Sequence, residues 1–369
     1  MEYFKLQEPF ELESGEQLPE ITIAYTTHGQ LSPAKDNVIW IFHALTANAE
    51  PLEWWGGLVG EGQLIDPNKY YIVCANMLGS CYGSTCAKSI NPDTQQRYGK
   101  DFPLVTIRDM VAAHQLLHQH LGLGQVLLGI GGSMGGQQVL EWAVQQPDCF
   151  KNICVLASNA FHSPWGIAFN EAQRMALEAD VSLYTDLDQA GQKGLAAARA
   201  IAMLSYRNYR TYQRTQSEED NAKLDDFRAS SYQQYQGQKL YQRFNPLAYI
   251  SLSKAMDSHN LGRGRGRVEE ALALIEANAL IIGIQSDVLF PVEEQAFLAN
   301  HIPKAKLEII ESTYGHDGFL IEYFKISELL KPVLEEDIEL LSASKYKLKE
   351  ANNSFGLISK KALPGTEYF

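Results

Sequence analysis

The chain has 369 residues, 45% of them hydrophobic and 20% charged, which is enough for a large buried core in one or two domains. A formal net charge of -13 argues against nucleic acid, whose phosphates demand concentrated Lys and Arg, and makes small molecules the expected partners. No stretch approaches the ~20 apolar residues of a membrane span, and the opening "MEYFKLQEPFELESGEQLPE" lacks the apolar core of a signal peptide, so a cytoplasmic location is expected. Five cysteines (Cys74, Cys81, Cys86, Cys149 and Cys154) are odd in number and form no CxxC pair, which suits reduced thiols and gives no metal-ligand pattern.

In chain order, "NVIWIFHAL" (Asn37–Leu45) and "YYIVCANML" (Tyr70–Leu78) are short, β-rich apolar runs that read as buried strands. "TIRDMVAAHQLLHQHLG" (Thr106–Gly122) spaces its apolar residues by three and four, opens on a Thr cap and closes on Gly, the signature of a helix. Two further strands follow in "VLLGI" and "NICVLAS". Late in the chain "NALIIGIQSD" and "AKLEIIESTYGHD" add two more, each ending in a loop that carries acidic residues or histidine. Strands alternating with helices imply an α/β fold whose mostly parallel central sheet is covered by helices on both faces, with ligands beyond the carboxyl ends of the strands.

From about Ser158 to Ala279 the alternation lapses into polar, Tyr- and Arg-rich helical sequence, far longer than the dozen or so residues a parallel crossover needs. It reads as a helical lid, residues 161–264, inserted into a discontinuous core of residues 1–160 and 265–335. Residues 336–369 form a C-terminal tail without an assignment. "LGRGRGRVEE" (Leu261–Glu270) is glycine-rich, but it follows no strand and lacks the spacing of a phosphate loop, so it reads as a mobile return linker.

"GGSMG" (Gly131–Gly135) fits G-x-S-x-G between a strand and a helix. A strand that turns sharply into a helix strains the serine backbone, and its neighbours must lack bulky side chains. It also leaves Ser133 at a helix N-terminus, where amides and the helix dipole favour developing negative charge. A tight strand–helix turn without chemistry would look the same in these five residues alone. A serine nucleophile needs a base, and the base an orienting carboxylate, which α/β-hydrolases supply in the order Ser, Asp or Glu, His. Asp287 in "IIGIQSDVLFP" and His316 in "STYGHDGFL" complete that order; singly they read as a turn or cap aspartate and a loop histidine. Two amides would form the oxyanion hole, that of Met134 after the serine and that of Leu45 in "FHALTAN". His43 in the same loop precedes the serine and is assigned a structural role. His114 and His118, four apart on one helix, have no acidic ligand in register and read as a solvated face.

Over most of Ile21–Glu322 the sequence resembles the homoserine O-acetyltransferase family of the α/β-hydrolase superfamily. The resemblance is carried in order by "HALT", "WWGGLVGEG", "CANMLGSCYGSTCAKSINPDT", "YGKDFPLVTIRDMV", "GGSMGGQQVLEWA", "FNEAQRMAL", "YQGQKLYQRFNPLAYISLSKAMD", "SDVLFP" and "GHDGFL". It implies that Ser133 accepts the acyl group, that Asp287 and His316 complete a catalytic triad, and that Leu45 and Met134 hold the oxyanion. It further implies that Arg207, in the pair Tyr206-Arg207, grips the amino-acid carboxylate, and that Asp317 meets its amine. By the same resemblance the reaction is ping-pong acetyl transfer from acetyl-CoA to the hydroxyl of L-homoserine, for methionine synthesis, with no bound cofactor or metal and with a homodimer formed through the lid. Succinyl transfer, or serine as acceptor, would use the same motifs; a carboxylesterase and a non-catalytic interaction protein are the competing classes. Two departures lie near the expected mouth: "GSTCAKSINP" replaces the family's "GSTGPSSINP" at Cys86, Ala87 and Lys88, and Ala47 replaces the glycine after "HALT".

Overall fold

The computed structural model describes residues 1–185 and 189–335; the tail assigned to 336–369 lies outside the described residues. Among the described residues ten strands are formed: β1 (Glu2–Leu6), β2 (Phe10–Glu11), β3 (Gln17–Leu18), β4 (Ile21–His28), β5 (Val38–Phe42), β6 (Tyr71–Ala75), β7 (Val126–Gly132), β8 (Phe150–Leu156), β9 (Asn278–Ile284) and β10 (Ala305–Ile310). Eight of them make one sheet in the order β1-β4-β6-β5-β7-β8-β9-β10, while β2 and β3 pair separately. Pairing is antiparallel at β1–β4 and β4–β6 and parallel from β6 to β10.

The apolar runs of β5 to β9 become strands because each can be buried on both sides. In β5, Val38, Trp40 and Phe42 enter one core cluster while Ile39 and Ile41 enter the other, the period of two expected of a covered sheet. After the short α1 (Pro51–Trp54), α2 (Ile107–His120) and α3 (Met134–Gln145) lie on one face, and the other is covered in part by α12 (Tyr323–Glu335) through Ile326, Leu330 and Val333. The Thr106 side chain accepts from the Asp109 amide and Asp109 from the Thr106 amide, a reciprocal cap that starts α2 where the sequence predicts. Strand order reverses between β5 and β7, opening a crevice beyond their carboxyl ends.

Between β8 and β9 the chain passes through α4 (Pro164–Glu178), α5 (Gln192–Tyr206), α6 (Tyr209–Gln216), α7 (Arg228–Tyr241), α8 (Pro246–Asp257) and the short α9 (Val268–Leu272). The insertion is held internally by polar contacts: Arg174, 5% exposed, pairs with Glu171 at 2.6 Å and Asp257 at 2.5 Å and donates to Ser253. After β9 follow α10 (Val292–His301), β10, and α11 (Gly318–Ile321) ahead of α12.

Two expectations are corrected. His114 does not lie on a solvated face: it is fully buried against Trp40 and Phe42, and burial depresses its pKa to about 3, while only its neighbour His118 reaches partly into solvent. The helix presents an aromatic-lined stripe at that spacing, so histidine there packs as a neutral ring. Residues 261–270 are likewise no loose linker. Arg263 pairs with Glu13 at 2.7 Å, and Arg265 reaches Glu141 of α3, 1% exposed, at 2.5 Å. Arginines that look solvated in the sequence find buried or part-buried carboxylates from distant segments.

Candidate active site

At the β7–α3 junction strand passes into helix within a single residue. Ser133 adopts φ 56° and ψ -126°, a strained conformation for a side chain with a Cβ, and its amide donates to Leu156 O at 2.9 Å. Its carbonyl accepts from Ser158 Oγ at 2.8 Å. A Cβ on Gly131 would lie 2.5 Å from the Gly135 backbone, and one on Gly135 would lie 2.2 Å from Phe42 O. The flanking glycines therefore let the start of α3 press against both its own strand and the end of β5. That contact brings the loop after β5 beside the start of α3, so that Leu45, 5% exposed, and Met134, fully buried, sit on the two segments that meet there. Gln138 Nε2 donates to His43 O at 3.4 Å and to Met134 O at 3.2 Å, tying the two.

His43 has the structural place expected of it. Its Nδ1 lies 2.9 Å from Ala44 O and its Nε2 accepts from the Met77 amide at 3.2 Å, an arrangement that needs the neutral Nδ1–H tautomer. Burial agrees, lowering its pKa to about 4.

Asp287 and His316, 29 positions apart, are joined by a hydrogen bond of 2.6 Å from Nδ1 to Oδ2. The other carboxylate oxygen accepts from the Leu289 and Phe290 amides at 2.8 and 2.9 Å, so the carboxylate is fixed from both sides. The His316 ring stacks on Phe290 at 5.0 Å and meets Phe319 edge-on at 5.3 Å. Phe319 also abuts Gly132, where a Cβ would lie 2.3 Å from its ring, so one aromatic side chain packs against both the end of β7 and His316. Burial opposes the charged imidazolium, but the Asp287 charge and hydrogen bond outweigh it, and the His316 pKa is raised.

The helical insertion reaches the same edge. Gly315, at φ 66°, leaves a gap in which a Cβ would lie 2.9 Å from the Arg207 carbonyl carbon, so the α5–α6 junction packs directly on the His316 loop. Thr211 Oγ1 donates to Thr313 O, and Asn208 Nδ2 to Ser286 O at 3.4 Å. Arg207 Nε stands 3.2 Å from Asp317 Oδ2, both side chains being largely buried. Burial raises the Asp317 pKa, against the opposing charges of Arg207 and Arg199.

The structure thus brings Asp287, His316, Arg207 and Asp317 together at one edge of the sheet, and sets Ser133, Met134 and Leu45 where the start of α3 meets the loop after β5. Others had no local signal. Arg243, following α7, donates to Thr46 O at 2.6 Å and Tyr82 OH at 2.5 Å, joining the insertion to the loop of Leu45. Gln137 donates to Asn159 and Asn159 to Glu294, whose carboxyl burial and the nearby Asp287 charge push up to about 7. Among the described residues, no cluster of His, Cys, Asp and Glu could hold a metal ion, and no helix is long and apolar enough to cross a membrane.

A family model described as the alpha/beta hydrolase fold matches residues 37–323. A homoserine O-acetyltransferase of Cyclobacterium marinum is 52% identical over 330 residues, 89% of this chain and 94% of the relative. Among solved structures, the homoserine O-acetyltransferase of Staphylococcus aureus superposes with a TM-score of 0.77 at 27% identity, covering 91% of this chain and 95% of its own. The esterase E22 gives 0.83 at 23% identity, covering 90% and 99%, a likeness of fold alone.

Proposed function

The chain belongs to the homoserine O-acetyltransferase family of the α/β-hydrolase fold, and from that premise we propose that it moves an acetyl group from acetyl-CoA to the side-chain hydroxyl of L-homoserine. Ser133 is the nucleophile. Its hydroxyl proton goes to neutral His316, and the alkoxide adds to the thioester carbonyl to give a tetrahedral oxyanion held by the amides of Leu45 and Met134. The C–S bond then breaks, the thiolate takes the proton from His316, and CoA leaves an acetyl ester on Ser133. Homoserine follows with its carboxylate on Arg207 and its amine at Asp317; His316 takes the hydroxyl proton, the new ester forms, and Ser133 is released with its proton restored. Asp287, oriented by two amides, holds the imidazole with Nε2 free and stabilises the imidazolium.

The observation that carries this reading is the Arg207–Asp317 pair beside His316. A zwitterionic acceptor needs one cation and one anion next to the nucleophile, whereas an ester hydrolase has no use for them. Transfer outruns hydrolysis only where water is kept from the acyl-enzyme, and the helices α4 to α8 are assigned that role as a lid. Pairing of two copies through these helices belongs to the same reading, supported by the exposed Met175, Leu204, Tyr209 and Leu224; so does a cytoplasmic location. No metal or bound cofactor takes part.

Thiol release by the purified protein, with acetyl-CoA or succinyl-CoA as donor and L-homoserine or L-serine as acceptor, tests the proposal. Turnover is expected with acetyl-CoA and homoserine, falling at least ~10⁴-fold in Ser133→Ala. Preference for succinyl-CoA or serine would keep the mechanism and change the substrate, with the Cys86–Lys88 loop as the place to look. Thiol release that needs no amino acid would identify a thioesterase or esterase.

A further inference from the structure

Between α5, α7 and α11 the structure holds a cavity of about 250 Å³ next to the Arg207–Asp317 pair. Four cationic side chains line it, Arg199, Arg207, Lys239 and Arg243, against one carboxylate, Asp317. This is an unusual concentration in a chain of net charge -13, where acidic partners are plentiful. Arg207 is matched by Asp317, and Arg243 is bonded to the neutral Thr46 O and Tyr82 OH. Arg199 lies over the Tyr206 ring, 5.2 Å from its centre, and shares the Asp317 charge with Arg207, while Lys239 is exposed on α7; neither makes an ion pair among the described residues. Like charges gathered without counter-ions repel, and such a cluster is favourable only with an anion between them.

Homoserine does not supply that anion. It is a zwitterion, and its carboxylate and amine are satisfied by Arg207 and Asp317. Three cations then remain at the mouth, on the helices rather than at the strand ends. The acyl donor is the polyanionic reactant: its thioester must reach Ser133, while its phosphates stay in water near the surface.

We propose that the cavity rimmed by Arg199, Lys239 and Arg243 docks the phosphate groups of the acyl donor, so that α7 distinguishes a nucleotide thioester from a simple one. This rests on the acetyl-transfer reading. Lysine and arginine hold phosphate by charge-assisted hydrogen bonds, and the screened, solvent-side location makes the contact sensitive to salt.

The test compares acetyl-CoA with S-acetyl-pantetheine, which carries the same thioester and no phosphate, in the full-length wild-type protein and in Lys239→Glu and Lys239→Gln. For acetyl-CoA the KM is expected to rise about tenfold in Lys239→Glu and less in Lys239→Gln, with kcat little changed, while the KM for S-acetyl-pantetheine moves less than twofold. Rising salt should weaken acetyl-CoA selectively in wild type and less so in the charge-reversed variant. An unchanged KM for acetyl-CoA, or an equal rise for both donors, overturns the assignment. If wild type transfers from neither donor, the acetyl-transfer reading fails on its own, and calorimetric titration with CoA then judges the cavity. Binding about tenfold weaker in Lys239→Glu supports it; equal affinity, or none in wild type, sinks it.

Discussion

The sheet edge and the helical insertion are built by different physics. At the edge, Ser133 and Asp287 follow β7 and β9, strands whose inner residues are buried on both faces, and His316 follows the half-exposed outer strand β10; the Asp287–His316 pair there is buried, short-bonded and doubly supported. In the insertion, the side chains turned toward the site are long and charged, and they border a water-accessible cavity. A chemical step requires reacting groups fixed within fractions of an ångström, which a close-packed sheet provides. Selecting between small zwitterions and nucleotide thioesters requires charge and adaptability, which flexible Arg and Lys on helices provide. On the proposed reading, then, the chemistry sits at the strand ends, and the selectivity falls mainly to the inserted helices, with Asp317 as their partner from the strand side.

That division predicts effects of different size and kind. At the edge, Asp287→Asn should lower kcat by roughly 10³- to 10⁴-fold, because an amide favours the wrong imidazole tautomer. The residual pH profile sharpens the point. In the proposed mechanism His316 acts in its neutral form; burial lowers its pKa, but the charge and hydrogen bond of Asp287 outweigh that and raise it. Activity in wild type should accordingly climb through a pKa above the ordinary histidine value of about 6.5, and in Asp287→Asn that limb should move to lower pH. A limb that stays in place would mean another group governs it, with Glu294, near 7, the first to examine.

In the insertion, Arg207→Gln should raise the KM for homoserine about 10²-fold through loss of a charged fork, while the burst of thiol release that marks formation of the acetyl-enzyme persists. Loss of the burst together with acceptor binding would place Arg207 in the first half-reaction and erase the proposed separation. The smallest catalytic effect is expected at the joint between the two regions. Arg265→Ala removes a partner of nearly buried Glu141, which keeps Arg108 at 3.4 Å, so urea denaturation should show a loss of about 2 kcal/mol with kcat unaltered.

The sheet was readable because apolar β-rich runs bounded by turns have few other ways to be buried. "NVIWIFHAL" becomes β5, "VLLGI" lies within β7, and "AKLEIIESTYGHD" contains β10 followed at once by His316. The serine was readable because only glycine tolerates the approaches around it, so the strain is written as composition. His114 was misread for the opposite reason. Spacing on a helix tells which residues share a face, but not whether that face meets water or, as here, Trp40 and Phe42. Residues 261–270 were misread because Glu13 and Glu141, their partners, are far away in the chain and carry no mark of the pairing.

By itself the sequence determined the α/β alternation, the strained serine turn, the chain order Ser133, Asp287, His316 and the family, since each is local or is an ordered series of local patterns. Only the tertiary structure decided that Asp287 lies 2.6 Å from His316, that Gly315 admits Arg207 to the His316 loop, that Arg243 bridges to Thr46, and that four cations and a single carboxylate line one cavity. These are meetings of segments separated by tens to hundreds of residues. Charge and hydrogen-bonding capacity are properties of a residue, but their partners are set by which strands lie side by side and by how the inserted helices close over them.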